Sequence, residues 1–279
     1  MNCFEFQHEA MAAAFAITIA DHPEAYVRQA VVAAWQELDR LENELSRYVQ
    51  SSDISRINCL ERGQSTQVGD DTLQCLLLAA ECSVATQHAF DISYSSVRDA
   101  DRPGTEPTFT LDPEAHTITS CVPKLHLDLG AIGKGYALDR LAALLADWEI
   151  TTACLQSGGS TALVLAPPTG HVGWSIGIGD EQTPRSLTLS NLALSGSGLA
   201  VKGQHLINPR TGKPATRTHR TWALAPSAAV SDALSTAFFV WSDEQIASFC
   251  ETHADIGAAV SGVSQPLMMF GALTLLPLE

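Results

Sequence analysis

Apolar and polar positions in the first 120 residues follow two different periods, that of a strand and that of a helix. Alternation with period two predicts strands, and apolar residues at every third or fourth position predict helices. We therefore predict strands at residues 4–6, 14–20, 108–111 and 116–120. The predicted helices span residues 23–49, a short segment after the capping residues 51–53, and residues 71–87. Residues 99–107 predict a polar loop containing proline and glycine.

Residues 125–145 combine a short alternating segment, a group of glycines and a helical pattern. Residues 125–129 predict a strand, and Gly130, Gly133 and Gly135 then surround Lys134 at the start of a predicted helix. Such a turn suits a phosphate group, because backbone N–H groups, the helix dipole and the ammonium all favour an anion. It equally suits a plain strand–turn–helix in which the glycines permit tight packing. The spacing matches neither common phosphate-binding motif.

The second half of the chain is richer in predicted strands. They lie at residues 153–156, 161–166, 174–178, 186–189, 192–195, 205–207, 221–225, 257–260 and 267–275, with helices at 230–240 and 243–252. Helices thus come as one block and strands as another, with a single βα crossover between them. This order predicts an α+β fold with mixed or antiparallel sheets. We expect one domain over residues 1–279, helix-rich up to residue 120 and strand-rich from residue 121.

Charge and cysteine content narrow the class of protein. The net charge is −15, which argues against general binding to nucleic acid or to anionic membranes. Seven scattered cysteines without a CxxC pair argue against a disulfide framework or a zinc site. The N-terminal residues lack the features of a signal peptide, and no apolar run has the length of a membrane span. We therefore expect reduced thiols and a cytoplasmic location.

Two further stretches carry residues suited to catalysis. His205 precedes a Pro-Arg-Thr-Gly turn, and histidine is the side chain whose ordinary pKa suits a general base near neutral pH. The alternative is a histidine with a structural role at a strand edge. Asp232 and Thr236 are four residues apart on one predicted helix, so their oxygens can face a hard cation such as Mg²⁺. The alternative is an N-capping aspartate followed by a threonine within the helix.

Several stretches, taken in order, resemble motifs of the ApbE-like family of FAD:protein FMN transferases. They are the segment headed by Met11, LENELSRYVQSSDISRIN (41–58), HAFD (88–91), LDLGAIGKGYALD (127–139), QSGGS (156–160), ALSGS (193–197), HLINPRTGKP (205–214) and SDALSTA (231–237). Each motif is moderately specific, but their joint order is highly specific and covers nearly the whole chain. The resemblance implies an ApbE-like fold with a strand–Gly-loop–helix phosphate site.

The resemblance also implies roles for individual residues. The positions where family members contact FAD are Met11, Tyr48, Ala89, Phe90, Asp91, Asp128, Lys134 and Ile207. The positions where they bind magnesium are the Ala131 carbonyl, Asp232, Ser235 and Thr236. His205 lies where the family has its catalytic histidine. The implied reaction is Mg²⁺-dependent transfer of FMN from FAD to a Ser or Thr hydroxyl of an acceptor protein, with release of AMP.

The chain departs from the family pattern in four places. His88 stands where the family has glycine, Ser160 and Asn208 each replace an aspartate, and the segment between residues 97 and 109 is short. Two alternatives stay open, and the departures at His88 and Ser160 favour the second. One is an Mg²⁺-dependent FAD pyrophosphatase, in which water replaces the acceptor hydroxyl. The other is a protein that binds FAD with little or no turnover.

Overall fold

An antiparallel sheet of eight strands organises the fold. The computed structural model describes residues 2–97, 107–179, 184–198, 207–209, 213–215, 220–262 and 266–277. The strands in chain order are β1 (Cys3–Ala10), β2 (Ala13–Ala20), β3 (Ser65–Gln67), β4 (Phe109–Asp112), β5 (Thr117–Ser120), β6 (Ala153–Ser157), β7 (Thr161–Val164), β8 (Trp174–Gly179), β9 (Pro184–Leu189), β10 (Leu192–Ser197), β11 (Ile207–Asn208), β12 (Lys213–Pro214), β13 (Arg220–Ala225), β14 (Gly257–Ser261) and β15 (Met268–Gly271). The order in the large sheet is β1-β2-β6-β7-β10-β13-β14-β15, and each neighbouring pair is antiparallel.

The helices lie mainly on one face of this sheet. They are α1 (Glu24–Leu45), α2 (Asp53–Ile57), α3 (Asp70–Ala85), α4 (Gly133–Asp147), α5 (Ala228–Val240), α6 (Asp243–Thr252) and a 3-10 helix (Ala272–Leu275). Apolar residues of α1, α3, α4 and α5 form one large core with alternate residues of the sheet strands. The β8–β9 hairpin covers a smaller core on the other face. The α+β class predicted from the sequence is confirmed.

The large sheet takes β1 and β2 from the helix-rich part of the chain and its other strands from the strand-rich part. The division at residue 120 and the single domain over residues 1–279 stay predictions. None of the helices in the described ranges combines the length and the apolar character needed to cross a membrane.

Helix α1 ends at Leu45, four residues before its predicted end. Hydroxyl groups from the start of α2 cause this early end. Ser52 Oγ donates to the Ser46 carbonyl at 2.6 Å, and Ser55 Oγ donates to the Arg47 carbonyl at 3.1 Å. The Ser46 carbonyl also accepts the Val49 N–H at 3.2 Å, so both carbonyls find partners outside a continued helix and the chain turns away from the helix axis after Leu45.

The predicted strand at residues 125–129 is wrong, because this segment is extended but belongs to no sheet. Its alternation is real, and Leu125, Leu127 and Leu129 are buried in the core. The backbone of Leu127, however, bonds to the side chain of Asn58 through both its N–H and its carbonyl. A polar side chain therefore replaces a neighbouring strand, which the alternation of apolar residues cannot reveal.

The strand predicted at residues 267–275 is shorter than expected. Strand β15 ends at Gly271, and the chain continues as the 3-10 helix. Gly271 has φ 59°, and a Cβ there would lie 2.4 Å from the Ile256 carbonyl oxygen. Glycine adopts this positive φ without strain and has no Cβ to clash with the carbonyl, so the chain can turn out of the sheet at this residue.

A row of buried hydroxyls crosses the centre of the sheet. Ser157, Thr161 and Ser195 are direct neighbours on β6, β7 and β10, so their side chains share a face. Within the described part of the chain, none of these three hydroxyls has a hydrogen-bond partner. Each such group lowers stability, because it loses its hydrogen bonds to water on folding and gains none in return.

We therefore expect Thr161→Val to raise the free energy of unfolding by about 1 kcal/mol. Thr221→Val is the matched control, because the buried Thr221 hydroxyl donates to the Ser235 carbonyl at 2.9 Å. This control should lower the free energy of unfolding by about 1 kcal/mol. Urea unfolding of both variants measures the difference. If both variants lose the same free energy of unfolding, the Thr161 hydroxyl is not unpartnered.

Candidate functional site

The glycine turn before α4 brings a lysine next to a buried carboxylate. The N–H groups of Ile132 and Gly133 both bond to the Leu129 carbonyl, which closes the turn. Lys134 Nζ donates to the Gly130 carbonyl at 2.8 Å and lies 3.8 Å from Asp232 Oδ2. Two residues that the sequence predicted for one site, on separate helices, are therefore in contact.

Helix α5 is held against α4 by a carboxylate at its N-terminus. Asp139 of α4 accepts hydrogen bonds from the Ser227 hydroxyl and from the N–H groups of Ala228 and Ala229, at 2.7–2.9 Å. Burial raises the pKa of the Asp139 carboxyl, and these hydrogen bonds partly offset that effect. Because Asp139 satisfies the free N–H groups at the start of α5, it fixes the position from which Asp232 reaches the glycine turn.

The two helices are in close contact at Gly135. A Cβ at this position would lie 2.2 Å from the Ala228 carbonyl oxygen, a backbone atom that cannot move aside. We therefore expect Gly135→Ala to lower the free energy of unfolding by about 3 kcal/mol. Gly133→Ala is the control, since its Cβ would meet only the Leu129 Cβ at 3.4 Å. Thermal unfolding compares the two, and equal stability would contradict this packing.

Asp232, Ser235 and Thr236 place three oxygen-bearing side chains within little more than one turn of α5, here called the oxygen cluster, and Ser235 Oγ donates to the Asp232 backbone carbonyl at 2.8 Å. Asp232 is buried, and its Oδ2 accepts a long hydrogen bond of 3.4 Å from the Gly135 N–H. Ser197 Oγ lies 2.8 Å from Ser235 Oγ and 3.4 Å from Thr236 Oγ1. A buried carboxylate with such distant partners is costly unless a cation compensates its charge.

The donor atoms of this cluster suit magnesium. Mg²⁺ prefers oxygen ligands, and the cluster offers a carboxylate and hydroxyls. No group of three or more His, Cys, Asp or Glu side chains that could hold a metal occurs among the described residues. A metal here therefore needs hydroxyl, carbonyl and phosphate oxygens in addition to Asp232. Ala131, whose carbonyl was predicted as a ligand, lies in the glycine turn directly before α4.

A second group of predicted residues adjoins the start of the glycine turn. Asp128 Oδ1 accepts a hydrogen bond from the Gly130 N–H at 2.9 Å, and its Oδ2 lies 3.0 Å from a guanidinium nitrogen of Arg47. The same guanidinium donates to the Tyr48 hydroxyl at 2.6 Å. Tyr48 is 79% exposed, so its side chain is accessible to a ligand.

The segment at residues 89–91 adjoins Asp128 through the backbone. Ala89 and Phe90 are buried in the core, and Asp91 accepts hydrogen bonds from the N–H and hydroxyl of Ser93. The next carbonyl, that of Ile92, accepts the Asp128 N–H at 2.9 Å. Ala89 and Phe90 therefore pack into the core, whereas Asp91 remains partly accessible.

His88 has a backbone conformation that suits glycine, the residue that the resemblance implies for this position. Its φ is 63°, in the left-handed region that glycine adopts without strain. Here the His88 N–H donates to the Ser83 carbonyl at 2.7 Å, and its Nδ1 lies 3.0 Å from Ser83 Oγ. These two contacts stabilise the strained histidine, so the departure from glycine leaves the turn in place.

The remaining predicted residues lie in three places. Met11 occupies the β1–β2 turn with φ 51°, and its N–H donates to Glu42 Oε1 of α1 at 2.8 Å. Ile207 begins β11, but its side chain is outside the described residues. His205 is also outside the described residues, so its role stays a prediction.

Sequence reasoning missed three residues that arrange this site. Asp139 caps α5, Arg47 joins Asp128 to Tyr48, and Glu42 holds the Met11 turn. Arg47 directly precedes the predicted Tyr48 in a strongly acidic chain, which is a usable signal. Asp139 and Glu42 lie on helices where a charged residue is ordinary, so their partners become visible only in the folded chain.

Several known proteins are similar to this chain. A family model described as the ApbE family matches residues 11–260. A relative named FAD:protein FMN transferase from Haemophilus influenzae is 25% identical, over 75% of this chain and 71% of its own. Another of the same name, from Vibrio cholerae, is 25% identical, over 78% of this chain and 76% of its own.

Solved structures agree with the fold. A flavin transferase ApbE from Vibrio cholerae superposes with a TM-score of 0.83 at 19% identity, covering 97% of each chain. A flavinyl transferase ApbE from Pseudomonas stutzeri, in its apo form, gives 0.82 at 20% identity, covering 98% of this chain and 96% of its own. The fold expected from the sequence is therefore confirmed.

Proposed function

The chain belongs to the ApbE family, and on that basis we propose that it is an FAD:protein FMN transferase. The observation that carries the proposal is the contact between the Lys134 ammonium and the buried carboxylate of Asp232 at the glycine turn. A helix N-terminus with a lysine attracts the pyrophosphate of FAD, and an oxygen cluster beside it suits the cation that accompanies a pyrophosphate. The relatives named above bear the same activity in their names.

The reaction is a phosphoryl-type transfer. An acceptor Ser or Thr hydroxyl forms a bond to the phosphorus on the riboflavin side, and the bond from that phosphorus to the AMP oxygen breaks. The hydroxyl proton passes to His205, and AMP leaves. The glycine turn and Lys134 hold the pyrophosphate in place, which fixes the phosphorus in line with the incoming hydroxyl.

We propose Mg²⁺ as the cofactor, held by Asp232, Ser235, Thr236 and the Ala131 carbonyl. When bound, it supplies positive charge to the pyrophosphate oxygens. Lys134 supplies a second positive charge beside the proposed metal.

In this structure Lys134 donates to the Gly130 carbonyl, and a rotation of its flexible side chain would bring the ammonium to a phosphate oxygen instead.

The proposed partners are FAD and an acceptor protein with an accessible Ser or Thr on an extended segment or loop. The net charge of −15 disfavours nucleic acid as a partner. We propose a cytoplasmic location, which the free thiols support. All seven cysteines are unpaired, and burial raises the pKa of Cys82 and Cys154 to about 12, so these two remain protonated and unreactive.

The test combines purified protein, FAD and Mg²⁺, with and without an acceptor protein. We expect AMP release together with covalent flavin on the acceptor, both dependent on Mg²⁺. AMP release that is unaffected by the acceptor would instead indicate an FAD pyrophosphatase. FAD binding without AMP release would indicate a flavin-binding protein, and failure to bind micromolar FAD would overturn the proposal.

A further inference from the structure

Arg47 is the centre of a polar cluster beside the glycine turn. One guanidinium nitrogen lies 3.0 Å from Asp128 Oδ2, and another donates to the Tyr48 hydroxyl at 2.6 Å. The guanidinium carbon also lies 4.8 Å from the centre of the Tyr48 ring. A single side chain therefore sets the positions of an exposed aromatic ring and of a carboxylate.

The backbone of Arg47 is itself fixed. Its carbonyl accepts the Ser55 hydroxyl at 3.1 Å, and the preceding carbonyl, that of Ser46, accepts the Ser52 hydroxyl. On the other side of the cluster, Asp128 is tied to the Gly130 N–H. Arg47 thus connects the loop after α1 with the segment that leads into the glycine turn.

Charge gives Arg47 a second effect. Asp128 is a carboxylate next to a turn that suits an anion, and an uncompensated carboxylate there repels a pyrophosphate. The Arg47 guanidinium neutralises that charge at 3.0 Å. Burial works against the charged form of Arg47, but the hydrogen bond to Tyr48 and the charge of Asp128 outweigh it and raise the pKa of the guanidinium; like any arginine, it is charged at neutral pH.

We propose that Arg47 is a positioning residue for FAD, which presents the Tyr48 ring and neutralises Asp128 so that the dinucleotide can bind. This inference rests on the proposed function, because the roles of Tyr48 and Asp128 toward FAD are implied by the family resemblance on which that function also depends. Arg47 acts through these two residues and takes no part in bond making or breaking. It therefore controls the affinity for FAD, and the rate of transfer at saturating FAD does not depend on it.

The test measures the Kd for FAD by quenching of flavin fluorescence, and kcat and KM by AMP release, in the full-length chain. Arg47→Ala should raise Kd and KM about tenfold and leave kcat within a factor of two, as expected when a charged, partly exposed hydrogen-bonding group is lost. Arg28→Ala is the matched control, because Arg28 is an exposed residue of α1 paired with Glu24. It should leave Kd, KM and kcat unchanged.

Two further variants separate positioning from a general structural role. Arg47→Lys keeps the charge but cannot bond to Asp128 and Tyr48 in the planar fork of a guanidinium, so it should restore the affinity only in part. Combining Arg47→Ala with Asp128→Asn removes the uncompensated carboxylate. The fold increase in Kd of the double variant should therefore be smaller than the product of the fold increases in the two single variants.

The possible outcomes are distinct. If the wild type fails to bind FAD, the proposed function itself is wrong. If the wild type binds FAD but Arg47→Ala binds it equally well, the role of Arg47 is wrong while the function stands. A fall in kcat with unchanged Kd, or strictly multiplicative losses in the double variant, would also overturn the inference.

Discussion

Asp232→Ala should abolish Mg²⁺-dependent release of AMP from FAD while the fold remains intact. Asp232 provides the only carboxylate that we assign to the metal, and its oxygen faces the Gly135 N–H and Lys134. Loss of one electrostatic group of this kind typically costs a hundred- to a thousand-fold in rate, so we expect kcat to fall by at least about 100-fold. AMP release at increasing Mg²⁺ concentration measures the effect.

The fold should survive because Asp232 holds little of it together. Its hydrogen bond to the Gly135 N–H is long, at 3.4 Å, whereas α5 is capped by Asp139 through three shorter bonds. The matched control is Asp255→Ala, which removes an exposed aspartate and should not change turnover. Full activity of Asp232→Ala, or undiminished wild-type activity in excess chelator, would contradict the metal assignment.

His205→Ala should retain FAD and Mg²⁺ binding but lose transfer of FMN to the acceptor. In our proposal His205 accepts the hydroxyl proton and holds no part of the pyrophosphate. Removal of a general base typically costs about a hundred- to ten-thousand-fold in rate. Covalent flavin on the acceptor measures transfer, and flavin fluorescence measures binding. The exposed His171 offers a control, and His171→Ala should transfer FMN at the wild-type rate.

The pH dependence of the wild type provides an independent check. Only the neutral imidazole accepts a proton, so the rate should fall as the pH drops through the pKa of the histidine, which is ordinarily about 6.5. This acid limb should disappear in His205→Ala. Transfer within a factor of a few of the wild-type rate in this variant would show that the base lies elsewhere.

Periodicity in the sequence predicted the separate elements well, because it depends on which side chains one element buries. Helix α6 (Asp243–Thr252) has the predicted bounds, and Ser52 caps α2 as its position suggested. Periodicity failed where the partner of a segment is not a strand. Residues 125–129 alternate like a strand, yet the backbone of Leu127 bonds to the side chain of Asn58 on both its N–H and its carbonyl. The hydrogen-bond partner of such a segment lies far away in the sequence, so the local spacing of apolar residues does not reveal it.

The sequence by itself determined the family and most of the residues proposed for the site, since the order of short motifs is preserved along one chain. Only the tertiary structure decided how these residues meet. It brings Lys134 to Asp232 through the close approach at Gly135 and through the Asp139 cap, and it makes Arg47 the link between Tyr48 and Asp128. Charged residues on a helix look alike in sequence. Which carboxylate caps another helix, and which guanidinium neutralises a carboxylate, depends on distances of a few ångströms that packing alone sets.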